Sequence, residues 1–375
     1  MEVLSLQKEV PRASRQREIM IYSRPLYRRE DVNEAGDCLI GNKNSLDISQ
    51  CFDIINNWRG IHAFPLDSFY STLKKRAKKI DGKALVYRRQ KRLVSIYFKL
   101  RRFPTMRLTQ MQDIGGCRAI VGNVDDIDKL VSLYTKGGTA KNPALRHKLV
   151  TEKDYISTPK DDGYRSYHLI FAYCSRKKEH SVYNKLKIEI QIRSKLQHAW
   201  ATAVEIVSAF TGQALKSNIG DEKWKRFFKL MGSALAIREG RPFVPGTTTD
   251  YKSLISEMRQ LVSDLNLEDV LARYGQAVQV MTEKMKGAHL YLLELDISKN
   301  RLRIQGFSAE ELQDAQHQYM DLEKQHKDDH SFQAVLVGGG TVASLRRAYP
   351  NFYLDSSAFM TAVRLAISED STDGN

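Results

Sequence analysis

The chain has 375 residues, of which 42% are hydrophobic and 27% are charged, a balance that argues against wholesale disorder and allows two or three domains. Lysine and arginine outnumber aspartate and glutamate by 59 to 44, so the net charge of +15 favours an anionic partner, phosphates first. The alternative interpretation of the charge alone is a basic surface that serves only solubility.

No apolar run approaches the roughly 18 residues needed to cross a bilayer, and the first segment turns polar too early for a signal peptide. We therefore expect a cytoplasmic protein. Its four cysteines, Cys38, Cys51, Cys117 and Cys174, show no CxxC spacing and no neighbouring histidine cluster. This spacing argues against a zinc site and a disulfide framework, so we expect reduced, structural cysteines.

The N-terminal half predicts a helical lead-in to a sheet. Residues 1–47 carry many charges and few periodic apolar positions, which predicts an irregular arm. Helical spacing follows over residues 48–58 and 66–80. Next come a short strand over residues 84–90 and a helix whose first turn carries Ser95 and which Pro104 ends.

Three further segments predict strands. DIGGCRAIV, residues 113–121, ends in β-branched residues and precedes a helix over 125–134, and YHLIFAYC, residues 167–174, is typical of a buried strand. The clearest strand is LKIEIQIR, residues 186–193. Side chains alternate across a strand, so its isoleucines share one face, while Lys187, Glu189, Gln191 and Arg193 share the other.

The C-terminal part predicts a separate module. Helices over 195–210 and 221–237 precede REGRPFVPGTTTD, whose prolines, glycines and threonines indicate a domain boundary near residues 240–247. Residues 247–366 predict a small α+β module, and residues 367–375 a disordered tail. The predicted elements of the module are helices over 251–265, 267–286 and 309–327, a hairpin over 290–307, a strand over 332–339 and two last helices.

A phosphate-transfer site needs carboxylates for Mg²⁺, cations for phosphate oxygens and an aromatic face for a base. Asp113 stands directly before one predicted strand and Glu189 on the polar face of another, so the two carboxylates converge if the strands are neighbours. Between them, DYISTPKDDGYRSYHLIF adds cations, rings and a histidine suited to a nucleotide. Each residue alone is more often an ordinary surface residue.

Four segments in order resemble the synthetase domain of the RelA/SpoT-type alarmone synthetases over about residues 66–209: RRQKRLVSIYFKLRR, QDIGGCRAIV, DYISTPKDDGYRSYHLIF and IEIQIRSKLQHAWA. The resemblance implies an α+β, nucleotidyltransferase-like fold over residues 48–240, with a mixed, mostly antiparallel sheet flanked by helices. It also implies Mg²⁺-dependent transfer of the β,γ-diphosphate of ATP to the 3′-OH of GDP or GTP. No His-Asp dipeptide occurs, so we expect no hydrolase of the family's HD type.

The resemblance also implies residue roles. Asp113 and Glu189 would bind the metal, and Glu189 would activate the acceptor hydroxyl. Arg89 would stack on the adenine of ATP and Tyr164 on the acceptor guanine. The donor phosphates would be bound by Lys91, Ser95, Lys99 and Arg118. The acceptor side would be formed by Lys160, Arg165, His168, Gln191, Arg193 and His198, of which Gln191 and Arg193 are the first candidates for a structural role instead.

Two alternatives to nucleotide pyrophosphorylation stay open. Some related toxins pyrophosphorylate the 3′ CCA end of tRNA. The net charge of +15 favours binding to the phosphate backbone of such an RNA. A catalytically inactive nucleotide sensor is the other, and the presence of both carboxylates argues against it. The C-terminal module is expected to regulate the enzyme, to form a homo-oligomer or to bind a partner protein.

Overall fold

Three helices precede the sheet in the computed structural model: α1 (Arg29–Leu39), α2 (Ile48–Gly60) and α3 (Ala63–Ile80). Asp47 caps α2, since its carboxylate accepts a hydrogen bond from the Gln50 amide. The prediction of an irregular arm is wrong for the residues of α1, because this helix buries Val32, Ala35 and Leu39 in the main core. These apolar positions are spaced as on one helix face, but the charges between them hid the pattern.

The structure describes residues 22–42, 46–136, 147–211, 222–265, 267, 290–296, 301–308, 310–326, 329, 332–338 and 357–368. The predicted helix over residues 267–286 lies outside these residues except for its first position. One of the two last predicted helices, and the predicted tail from residue 369 on, also lie outside them.

The cysteine prediction is wrong for one pair. Cys38 in α1 and Cys51 in α2 form a disulfide, with α-carbons 6.7 Å apart, because the two helices pack against each other. A separation of 13 residues along the chain gave no sign of this proximity. Cys117, which is buried, and Cys174, which is exposed, are free thiols.

A five-stranded mixed sheet follows: β1 (Leu85–Gln90), β2 (Gly115–Val121), β3 (Lys148–Asp154), β4 (Tyr167–Ala172) and β5 (Lys187–Ser194). Its order is β1-β2-β5-β4-β3, and within it β2 and β5 pair in parallel whereas the other neighbours are antiparallel. The α+β class with a mixed, mostly antiparallel sheet is therefore confirmed. The edge strand β3 was not predicted, because LVTEKD is short and mostly polar.

Helices α4 (Leu93–Arg102) and α5 (Val124–Thr135) complete the first core with α1 to α3. Helices α6 (Lys195–Thr211) and α7 (Glu222–Arg238) follow the sheet. A second core packs them against α8 (Tyr251–Asp264), which lies beyond the predicted boundary. In the described part of the chain, no helix combines the length and apolar character that a membrane crossing requires.

The C-terminal region contains a second, antiparallel sheet in the order β7-β6-β8, formed by β6 (Leu290–Asp296), β7 (Arg301–Phe307) and β8 (Phe332–Gly338). Helix α9 (Leu312–Gln325) packs on this sheet. The predicted hairpin, the helix after it and the following strand are therefore all present. The last described helix, α10 (Ser357–Ser368), joins the second core instead. A module over residues 247–366 stays a prediction, since α8 and α10 share their core with α6 and α7.

Candidate active site

The first predicted carboxylate, Asp113, lies in the segment that enters β2 and is held by two lysines. One carboxylate oxygen accepts a hydrogen bond from Lys91 Nζ at 2.7 Å and the other from Lys99 Nζ at 2.8 Å. Burial opposes ionisation, but the two ammonium groups outweigh it and place the pKa of Asp113 well below its ordinary value. Asp113 is therefore ionised, and the turn after β1 and helix α4 both contact it.

The second predicted carboxylate, Glu189, lies on β5 opposite Gly116 of β2. Its oxygens contact His168 Nδ1 at 2.9 Å and accept a hydrogen bond from Gln191 Nε2 at 2.8 Å. Burial opposes ionisation, but His168, through a hydrogen bond and its charge, lowers the pKa of Glu189 overall, while the charge of Asp113 raises it. The two carboxylates therefore interact across the parallel strand pair.

A chain of hydrogen bonds extends from Glu189 through two rings. The Tyr164 hydroxyl contacts His168 Nε2 at 2.8 Å and accepts a hydrogen bond from Arg193 at 2.6 Å. Burial opposes ionisation of Tyr164, but Arg193 and then His168 outweigh it and lower its pKa to about 7. The polar face predicted for β5 is thus an ordered network rather than a solvated surface.

The segment that carries Tyr164 rests directly on α7. Gly163 has a φ of +91°, and a Cβ atom there would lie 2.9 Å from the Phe228 carbonyl oxygen. Gly232 faces it, since a Cβ atom at Gly232 would lie 3.0 Å from the Gly163 Cα. Trp200 of α6 donates a hydrogen bond to the same Phe228 carbonyl at 2.8 Å. Backbone contact without side chains between them thus sets the position of this turn.

A cleft of about 480 Å³ opens beside the network. Six of the predicted residues line it: Arg89, Arg118, Lys160, Tyr164, Gln191 and Arg193. The sequence reasoning missed Trp200, Lys225 and Lys229, which also line it from α6 and α7. The basic run EKWKRFFK in α7 was the only available signal, and it is typical of many solvated helices. The cleft is strongly basic and has aromatic walls, as a nucleotide requires.

The remaining predicted residues are placed differently. Arg165 donates to the carbonyls of Pro242 and Ile156, so it braces the backbone and is not brought to the cleft. Burial of His198 lowers its pKa far below the ordinary value. The positive charges of Arg118 and Arg193 lower it further. Its Nδ1 atom is buried without a hydrogen-bond partner in the described residues. Ser95 lies in the first turn of α4, as predicted.

Two lysines and one arginine stand near Asp113 and at the end of β1. Lys91 and Lys99 neutralise Asp113, while Arg89 is exposed at the end of β1. The described residues contain no group of three or more histidine, cysteine or acidic side chains that could hold a metal ion. A divalent ion here would therefore take only two protein carboxylates and would need oxygens from a ligand, as Mg²⁺ with nucleotides commonly does.

Comparison with known proteins finds sequence matches to part of the chain. Residues 88–209 match the family described as a region found in RelA / SpoT proteins. The GTP pyrophosphokinase YjbM of Bacillus subtilis (strain 168) is 36% identical over 118 residues, which are 30% of this chain and 51% of that protein. The GTP pyrophosphokinase YwaC of the same organism is 37% identical over 92 residues, 24% of this chain and 40% of that protein. The chain thus spans about half the length of these relatives, or less.

Solved structures with partial overlap include two from Bacillus subtilis. Small alarmone synthetase 1, bound to its product pppGpp, is 24% identical with a TM-score of 0.41 and covers 49% of this chain and 92% of its own. Small alarmone synthetase 2 is 25% identical with a TM-score of 0.40 and the same coverage. Residues 88–209 of this chain are therefore similar in sequence to the region found in RelA / SpoT proteins.

Proposed function

We propose that the protein is a pyrophosphokinase that transfers the β,γ-diphosphate of ATP to the 3′-OH of GDP or GTP. One observation carries the proposal: β2 and β5 pair in parallel, so the Asp113 carboxylate at the entry to β2 and the Glu189 carboxylate on β5 lie on neighbouring strands, beside a basic cleft with aromatic walls. The names of the two Bacillus relatives support the same activity. The product would be guanosine tetra- or pentaphosphate, with AMP released.

The donor set fits a magnesium ion. Asp113 and Glu189 would hold it together with phosphate oxygens of ATP, and each carboxylate oxygen that accepts one hydrogen bond keeps a second lone pair for a metal. When bound, the ion would neutralise charge on the transferred phosphates. Lys91 and Lys99 would keep Asp113 ionised and present ammonium groups on the donor side.

Glu189 would accept the proton of the acceptor hydroxyl. The 3′-oxygen then forms a bond to the β-phosphorus of ATP, the bond from that phosphorus to the α,β-bridging oxygen breaks, and AMP leaves. The low pKa of Glu189 makes it a weak base in the free protein. His168, bonded to Glu189 on one nitrogen and to Tyr164 on the other, would hold the carboxylate in place. Tyr164 would meet the acceptor base through its ring.

The test is product formation from ATP labelled in its terminal phosphates. Purified protein with Mg²⁺ and ATP should transfer label to GDP or GTP and should release AMP in equal amount. Labelling of tRNA at its 3′ end, with guanine nucleotides unlabelled, would make tRNA the acceptor. If ATP binds but no acceptor is labelled at any concentration, the protein is a nucleotide sensor and the proposal is wrong.

A further inference from the structure

Arg59, at the end of α2, holds the turn that carries Lys91. Its Nε donates to the Lys91 carbonyl at 3.0 Å, and its own carbonyl accepts a hydrogen bond from Gln90 Nε2 at 2.9 Å. The Lys91 amide donates to the Ile114 carbonyl, next to Asp113, at 2.7 Å. The peptide on either side of Lys91 is therefore fixed between Arg59 and the metal-binding segment.

Helix α9 of the C-terminal sheet lies against the same arginine. The Glu323 carboxylate is 4.0 Å from Arg59 Nη1, and the Tyr319 hydroxyl accepts a hydrogen bond from Arg59 Nη2 at 3.5 Å. The Glu323 side chain is only 3% exposed, and this burial raises the pKa of Glu323 although the charge of Arg59 and the hydrogen bond to Tyr319 lower it. Lys324, on the same helix, lies 5.5 Å from the centre of the Phe52 ring in α2. A distant part of the chain thus contacts α2 through charges and a ring.

Glu323 also lies at the start of α4, where its carboxylate accepts a hydrogen bond from the backbone of Leu93. Burial lowers the pKa of Arg92 to about 10, while the charges of Tyr319 and Glu323 act in the opposite direction. Arg92 occupies the position before α4, the helix that carries Ser95 and Lys99. Since Lys91 and Lys99 both bind Asp113, a shift of Arg59 or Arg92 would be transmitted to that carboxylate. The described residues therefore join α9 to the donor side by continuous contacts.

We propose that Arg59, Tyr319 and Glu323 are positioning residues through which helix α9 of the C-terminal module sets the ATP affinity of the donor side. The inference rests on the proposed function, because it takes ATP to be the ligand bound beside Lys91. Any molecule that moves α9 away from α2 then weakens ATP binding, and any molecule that holds it there strengthens it. The acceptor side, which β5, the turn that carries Tyr164, α6 and α7 would form, has no part in this contact.

The test compares single variants by steady-state kinetics and by direct ATP binding in the absence of acceptor. Glu323→Gln, Tyr319→Phe and Arg59→Gln remove one partner each, and Arg59→Lys serves if the glutamine variant does not fold. Asp321→Asn is the matched control, since this carboxylate is exposed on the same helix. Glu323→Gln and Arg59→Gln should raise KM and Kd for ATP by about threefold to tenfold, the usual weight of one or two hydrogen bonds. The acceptor KM should stay within about twofold of wild type, and the double variant should resemble one single variant.

An ATP Kd for Glu323→Gln and Arg59→Gln that equals that of Asp321→Asn would overturn the inference. A lower Tm with unchanged ATP affinity would do the same, because it would show that the contact only stabilises the fold. If wild-type protein modifies no acceptor, the proposed function fails. The directly measured ATP Kd values still decide the coupling in that case.

Discussion

The sides proposed to bind the donor and the acceptor hold their carboxylates ionised by different means. Asp113 on the donor side is bound by two full positive charges, Lys91 and Lys99. Glu189 on the acceptor side is bound by a histidine and an amide, in a chain that continues to Tyr164. A carboxylate between two ammonium groups is suited to fixed electrostatics, whereas one bonded to an imidazole is suited to receive a proton. In the proposed mechanism, Asp113 would therefore serve binding and Glu189 would serve proton transfer.

The largest expected effect follows removal of the proton acceptor. Glu189→Gln keeps the shape but leaves one acceptor oxygen for the two contacts with His168 and Gln191, and it cannot take a proton, so kcat for the proposed transfer should fall by about 10²–10⁴-fold. ATP affinity should change much less. Stopped assays of AMP release with the exposed Glu179→Gln as control would check this. Activity within tenfold of wild type would remove Glu189 from the chemistry.

Asp113→Asn tests the donor side and should show a mixed effect. It leaves Lys91, which is 11% exposed, and Lys99 without a counterion, so the unfolding free energy should fall by about 1–3 kcal/mol. The kcat should fall by about 10²-fold through loss of metal binding. Chemical denaturation alongside Mg²⁺ titration of the activity measures both. Equal stability losses in Asp113→Asn and Glu189→Gln would contradict the contrast between charge pairs and the hydrogen-bonded chain.

Lys229 should affect only the acceptor. It is half-buried, lines the cleft next to Gly163, and has neither a hydrogen bond nor an ion pair within the described ranges. Lys229→Gln should raise KM for GTP or GDP by about threefold to tenfold and leave KM for ATP unchanged. Lys223→Gln, on the same helix but paired with Asp264, is the control. A rise in KM for ATP instead would place Lys229 on the donor side.

The smallest expected effect is a change in tyrosine absorbance, because only one of the 17 tyrosines, Tyr164, would contribute to it. The pKa of Tyr164 is lowered from 10.0 to about 7, so tyrosinate absorbance should grow as the pH rises through about 7 and should be missing in Tyr164→Phe. Its folded pKa lies below its unfolded pKa. The contribution of this pKa shift to the free energy of unfolding is therefore complete above pH 10 and is lost as the pH falls through about 7. If Tyr164 does not ionise below about pH 9, the charge of Arg193 does not stabilise its phenolate form.

The sequence predicted the inner part of the sheet well. Strict alternation in IEIQIR defined the buried and polar faces of β5, and the glycine pair before CRAIV marked the entry to β2. These patterns are local, and each is fixed by the twofold period of a strand. The convergence of Asp113 and Glu189 required the parallel pairing of β2 with β5, which periodicity does not encode.

Long-range contacts were out of reach for the same reason. The Cys38–Cys51 disulfide and the contact of Glu323 with Arg59 depend on how helices pack, and the chain separations carry no signal for either. Lys229 was missed because its role depends on Gly163 lying on α7. Helix α1 and strand β3 were missed because charged residues interrupt their apolar patterns.

The facing glycines of the acceptor turn and α7 carry one more consequence. Since a methyl group at either position would meet backbone atoms at 2.9 Å, no side-chain rotation can relieve the collision. Alanine at Gly232 would have to lift the whole turn, and Tyr164 with it, away from the helix. If Tyr164 contacts the acceptor base as proposed, the room for that base depends on the spacing between the main chain of this turn and that of α7.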